Sequence, residues 1–237
     1  MEEHIGEAPI IIGHSFGSLI ALELARDLRA RGDGIDAKGV AMLNCGVGMN
    51  NKNALKVEQW REQQLAMGKQ VEPPAPGWTI ALFGLVLSIV DAIFNQKWLL
   101  TLLLQRFATA DNVRGALQGS VYSNAERVDE PLVQDYLALA ANQDAAVEVL
   151  RQIYTNDGGP LPFPAAEELP TDFPILTIWG DTDNLAPITG PVGRFFRARA
   201  QLLEKSEFHE IAECGHVPQD DCPDVVNAIL GAWLVAV

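Results

Sequence analysis

The stretch Ile10-Ile11-Ile12-Gly13-His14-Ser15-Phe16-Gly17-Ser18-Leu19-Ile20-Ala21-Leu22-Glu23-Leu24-Ala25 opens as an apolar strand, turns through small residues around a serine, and continues as a helix. A Gly-x-Ser-x-Gly spacing between a strand and a helix is that of a nucleophile elbow. The tight turn lifts the serine oxygen out at the carboxyl end of a sheet. Such an elbow normally has several strands before it, whereas here only a short stretch precedes Gly13.

Working outward, residues 8–13 read as a short buried strand and 16–30 as the helix leaving the elbow, stopped by Gly32 and Gly34. Gly39 to Asn44 reads as the next parallel strand, because an apolar run without alternation fits a strand covered on both faces. From 46 to 165 the pattern is helical, broken by Pro73-Pro74-Ala75-Pro76-Gly77 and closed by Gly158-Gly159-Pro160-Leu161-Pro162. Strand patterning resumes at Pro174 to Gly180, followed by a helix over 190–203, a strand over 207–212 and a helix over 223–235. The expected class is α/β, with a mostly parallel sheet and helices on both faces. Its core is formed by 1–45 and 166–237, and 46–165 is inserted as a helical cap.

Inside that insert, Trp78 to Phe94 is strongly apolar and Trp98 to Leu104 adds a second patch. A bilayer span needs about 20 apolar residues, and Asp91, Asn95, Gln96 and Lys97 interrupt before that. The run therefore reads as a buried cap helix or one lining a greasy substrate path, with peripheral membrane contact as an intermediate reading. Trp78 and Phe83 of this run, with His14 beside the serine, are the candidate substrate-binding residues.

A formal charge of −14 argues against a nucleic-acid partner, which needs clustered Lys and Arg. The three cysteines, Cys45, Cys214 and Cys222, form no metal-ligand spacing and read as reduced thiols. No metal-ligand set and no dinucleotide fingerprint is visible, so no cofactor is expected. Met1-Glu2-Glu3-His4 is neither a secretory signal nor a transit peptide.

Serine needs a base, itself oriented by an acid, and in this architecture they follow in the order serine, acid, histidine. Of the four histidines, His4 precedes the elbow, His14 adjoins the serine and His209 lies in a predicted strand. His216, in a glycine-flanked loop after the last strand, is the base by elimination and context. For the acid, Asp181 and Asp183 both lie in the loop after the 174–180 strand, and local physics does not separate them. Whichever is not the acid serves the turn. Asp220 and Asp221 read as caps of the final helix.

The elbow, the Gly180-x-x-Asp183-x-x-x-Pro187 loop and the Gly215-His216 loop together resemble the α/β-hydrolase superfamily across nearly the whole chain. That resemblance selects Asp183 and implies a Ser15, Asp183, His216 triad. Narrower likenesses, in Leu43 to Lys52, Asn112 to Val121, Gly190-Pro191-Val192-Gly193 and Gly215 to Asp221, point to plant and algal hydrolases of the chlorophyll dephytylase type, with pheophytinase more distant. The resemblance implies cleavage of the phytyl ester of chlorophyll-type pigments, a plastid location and peripheral contact with the thylakoid membrane. The substrate would be a hydrophobic small-molecule ester, and a phytyl chain suits a greasy slot. Superfamily members that dehalogenate or open epoxides carry an aspartate nucleophile, against which Ser15 argues; perhydrolysis fits a serine elbow as a side activity.

One oxyanion donor is expected to be the backbone N–H of Phe16, and the other a loop upstream of the elbow. The chain carries no upstream strands to supply it, so the sequence reads as the C-terminal part of a hydrolase. The rival readings are an esterase, thioesterase or acyl-lipid hydrolase of another substrate, and a catalytically impaired fragment that only binds.

Overall fold

A computed structural model of the chain describes residues 8–32, 34, 36–46, 52–155 and 158–237. His4, the Met1 to Gly6 stretch and part of the Leu43 to Lys52 likeness lie outside the described residues. The chain divides into two compact units. The first comprises residues 1–46, 114–129 and 162–237, and the second 47–113 and 130–161.

The first unit is built on four parallel strands in the order β1 (Ile10–His14), β2 (Gly39–Leu43), β3 (Ile175–Gly180) and β4 (Ser206–Ile211). Register pairs Ile10 with Gly39, Val40 with Ile175, and Ile175 with Ser206. Strand side chains alternate between faces. Ala41, Leu43, Leu176 and Ile178 pack against Val226 and Trp233 of helix α11 (Pro223–Ala236). Val40, Met42, Ile175, Thr177 and Trp179, pointing the other way, are equally buried. Both faces of β2 and β3 are covered, which is why those two strands read as unbroken apolar runs.

Helix α1 (Phe16–Arg31) leaves the elbow and buries Leu19, Leu22, Ala25 and Leu28. Each buried leucine stabilises the unit by about 1.5–3 kcal/mol. The helix ends where Gly32 turns left-handed at φ 64°, with Arg29 and Arg31 favouring its C-terminal dipole. Helices α8 (Pro162–Glu168) and α9 (Pro191–Leu202) complete this side through the ring contacts Phe163–Phe195 and Phe195–Phe196. The short α10 (Pro218–Asp221) immediately precedes α11.

The second unit is helical: α2 (Lys52–Ala66), α3 (Gly77–Phe94), α4 (Lys97–Phe107), most of α5 (Ala110–Ala116), α6 (Glu130–Ala141) and α7 (Gln143–Thr155). Lys52 Nζ ties α2 to Asp91 of α3 at 2.6 Å and to the Thr155 carbonyl of α7 at 2.9 Å. The Phe94 and Tyr154 rings meet at a tilt of 32°, with centroids 4.0 Å apart. Two expectations change here. The stretch expected as one insert, 46–165, is split, because residues 114–129 group with the sheet, bound there by backbone hydrogen bonds of 121–124. Helix α3 is not a buried cap helix: Leu87 is its one buried residue, while Trp78, Leu82, Leu85, Val86, Ile89 and Ile93 face outward. It packs through a single stripe, so apolar residues on the opposite stripe stay uncovered within this unit.

Candidate active site

The elbow is held by strain and close approach. Ser15 sits at φ 52°, ψ −119°, a conformation few non-glycine residues adopt. It is pinned by its N–H donating to the Leu43 carbonyl at 2.8 Å and its carbonyl accepting from Ser18 N–H at 3.0 Å. A Cβ on Gly13 would fall 2.2 Å from the Gly17 carbonyl oxygen, so the turn requires glycine there. At Gly17 a Cβ would meet nothing within 4 Å, so of the two motif glycines only Gly13 is explained by crowding within the described residues.

The structure brings three of the predicted side chains into one line. His216 Nε2 lies 2.9 Å from Ser15 Oγ, and His216 Nδ1 lies 2.8 Å from Asp183 Oδ2. An ionised carboxylate only accepts, so Nδ1 carries the proton and Nε2 is left to accept from the serine hydroxyl. The Asp183 side chain is fully enclosed and that of His216 nearly so. Burial alone would raise the Asp183 pKa. Hydrogen bonds from His216, Ala186 N–H and Asn44, with the His216 charge, outweigh it and hold the carboxyl below the usual range.

The two carboxylates after β3 are now distinguished. Asp183 Oδ1 accepts from Leu185 and Ala186 N–H, both at 2.8 Å, and this turn leaves Oδ2 for the histidine. Asp181 instead reaches the Cys214 N–H at 3.4 Å. The histidine loop is zipped onto the acid loop by Thr182, whose N–H and Oγ1 both donate to the Cys214 carbonyl. A Cβ on Gly180 would fall 2.2 Å from that same carbonyl.

Three residues take parts that the sequence did not assign to them. Asn44, left-handed at φ 44° and fully buried, donates to Asp183 Oδ2 at 2.6 Å and to the Gly215 carbonyl, while its Oδ1 accepts from Gly180 N–H. The signal available for it was a polar residue closing an apolar parallel strand. His14, a candidate substrate-binding residue, places Nε2 2.7 Å from the His216 carbonyl oxygen and so braces the backbone of His216. Asp221 does not cap α11. It accepts from Ser123, Asn124 and Gly215 N–H, while Asp220 takes the Tyr122 hydroxyl at 2.5 Å. With His216 N–H donating to Val121 O at 2.7 Å, these bonds carry 121–124 into the first unit.

Phe16 supplies the first N–H of α1, one of the four in a helix that have no intrahelical acceptor. Trp78 and Phe83 lie on α3 of the second unit, both exposed. His209 is half-buried on β4 and pairs with Glu207 at 3.0 Å. Burial pushes the Cys45 thiol far up, leaving it protonated and inert.

Residues 1–229 match the family described as Alpha/beta hydrolase family. Among solved structures, an epoxide hydrolase aligns with a TM-score of 0.57 and 16% identity over 99% of this chain and 70% of its own. A protein assigned as a lipase from Acinetobacter baumannii aligns at 0.55 and 18% identity, over 97% of this chain and 62% of its own. A bacterial membrane phospholipase A aligns at 0.55 and 16% identity, over 95% and 56% respectively. At these identities the likeness is one of fold. No curated protein matches the chain. The chain spans 56% of the phospholipase and 62% of the lipase-assigned protein.

Proposed function

Because the chain belongs to the alpha/beta hydrolase family, we propose that it serves the hydrolysis of a carboxylic ester with Ser15 as nucleophile. The observation that carries this reading is the unbroken hydrogen-bond line from Ser15 Oγ through His216 to Asp183. In this mechanism Ser15 Oγ attacks the ester carbonyl as His216 Nε2 takes its proton. The Asp183 carboxylate steadies the resulting imidazolium, and Phe16 N–H faces the oxyanion. His216 then protonates the departing alcohol, and a water, deprotonated by the same nitrogen, releases the acyl group. A serine nucleophile does not suit epoxide opening of the kind that uses an aspartate.

A narrower reading is that the ester is a phytyl ester of a chlorophyll-type pigment, releasing phytol, within a plastid and at the thylakoid surface. It is supported by the sequence likenesses around Asn112 to Val121 and Gly215 to Asp221 and by the apolar outer stripe of α3, with Trp78 and Phe83 as candidate chain-binding residues. The test is labelling of Ser15 by a fluorophosphonate, combined with turnover of a pigment phytyl ester and of short-chain nitrophenyl esters. Loss of both signals in Ser15→Ala supports the serine mechanism; labelling that persists overturns it. Turnover confined to the short esters overturns the pigment reading and leaves a general esterase.

A further inference from the structure

Cys214 and Cys222 flank the segment that carries His216. Their sulfurs and an Asp221 carboxylate oxygen lie within 4.8 Å of one another. The acid of this trio is already spent: Asp221 Oδ2 takes the Ser123 and Gly215 N–H groups and Oδ1 takes that of Asn124. What remains free to react is a pair of thiols.

We propose that Cys214 and Cys222 form an oxidisable pair that closes to a disulfide when a hydroperoxide reaches it, stapling the His216 loop to the start of α11. The two cysteines are unequal in a way that assigns their parts. Cys214 is wholly buried and Cys222 is partly open, so the oxidant meets Cys222. Burial, joined by the Asp221 and Asp181 charges, holds the Cys222 thiol above its ordinary value, with the Cys214 thiol and Arg127 pulling against it. Cys214 is driven far higher, by burial first and then by the Cys222 thiol and the Asp221 and Asp181 charges. Cys222 is therefore the attacking sulfur and Cys214 the resolving one.

The chemistry balances with hydrogen peroxide as the oxidant. The Cys222 thiolate attacks one peroxide oxygen, the O–O bond breaks, and hydroxide leaves, taking up the thiol's proton as water. The Cys214 sulfur then displaces hydroxide from the sulfenic acid, the S–S bond forms, and a second water carries away the Cys214 proton. Two thiols lose two electrons in all, and one peroxide gains them.

Cys214 is fixed at both backbone ends, by Asp181 on its N–H and Thr182 on its carbonyl, so the movement of closure falls on Cys222. A short loop closed in this way raises Tm by roughly 5 °C in a chain of this size.

The test is peptide mapping of the full chain after mild hydrogen peroxide, with free thiols alkylated before digestion. The expected result is a Cys214–Cys222 cross-linked peptide within one chain, a higher Tm, and reversal of both by dithiothreitol. Cys222→Ser should lose the cross-link and the Tm response, while Cys45→Ala should keep both. Free thiols at both positions after treatment, sulfinic acid at Cys222 without a bridge, a bridge between two chains, or a fall in Tm on oxidation would each overturn the proposal.

Discussion

The Asn44 side-chain amide donates to Asp183 Oδ2 across 2.6 Å, on the same oxygen that His216 Nδ1 uses. A carboxylate oxygen shared in this way is aimed by the amide before the imidazole arrives. On the proposed mechanism Asn44 stands behind the acid as a positioning residue.

Replacing Asn44 by Ala strips the Gly180 N–H and the Gly215 carbonyl of a buried partner. The expected loss is about 2–4 kcal/mol of stability. Ester turnover should fall roughly 10- to 100-fold through kcat with little change in KM, and its acid limb should move up in pH as Asp183 loses a donor. Asn44→Gly accepts the left-handed backbone and should be about 1 kcal/mol more stable than Asn44→Ala. Urea unfolding and a pH–rate profile of the two variants decide the point; equal profiles to the parent would remove Asn44 from this role.

Asp183→Asn should lower kcat by about 10⁴ by stranding the wrong imidazole tautomer. Asp181→Asn should leave kcat within about twofold, since among the described residues Asp181 holds only the Cys214 N–H. Steady-state assays of the pair check this, and the reverse order would exchange the two roles.

The elbow glycines should part company. Gly13→Ala drives a Cβ into the Gly17 carbonyl oxygen and is expected to cost more than about 3 kcal/mol. Gly17→Ala lies in open space in the first turn of α1 and should be neutral or stabilising by up to about 1 kcal/mol. Thermal melts of both variants test the contrast.

Acid should weaken the fold in two stages. Burial holds the His14 imidazole below its ordinary value of 6.5, against the pull of the His216 carbonyl. The unfolded chain therefore binds this proton first, and the stability His14 lends above pH 6.5 is lost as pH falls. Asp183 is also depressed, so its contribution is complete above the ordinary carboxylate range and disappears as pH drops through its lower folded value. Urea midpoints measured from pH 8 to 3 should hold steady, then decline below about 6.5 and again below about 4. His14→Gln keeps a donor for the carbonyl without titrating, and should flatten only the upper stage.

The sheet, the elbow and the two loops that face it were readable because each is written in contiguous residues. An apolar triplet before Gly13, a glycine closing β3 and another before His216 each mark a chain reversal by local chemistry. The choice between Asp181 and Asp183 was not local. It depends on which carboxylate closes a turn over Leu185 and Ala186 and leaves its second oxygen free, and only the resemblance to a family favoured Asp183 in advance. The attachment of 121–124 to the histidine loop was out of reach for another reason. Asp221 meets Ser123 and Asn124 across 98 and 97 positions, and nothing in either segment names the other. Helix α3 exposed the limit of periodicity. A helix apolar all round does not say which stripe is covered, and here only the Leu87 side is.

Ser15 and the imidazole that partners it are 201 positions apart along the chain. At the roughly 5–20 residues per second at which chains are synthesised, about 10–40 s separate the emergence of the hydroxyl from that of its base. On the proposed mechanism the serine is an ordinary alcohol throughout that interval. Ser15 would therefore gain its proposed reactivity only after the second unit and residues 114–129 have already been made.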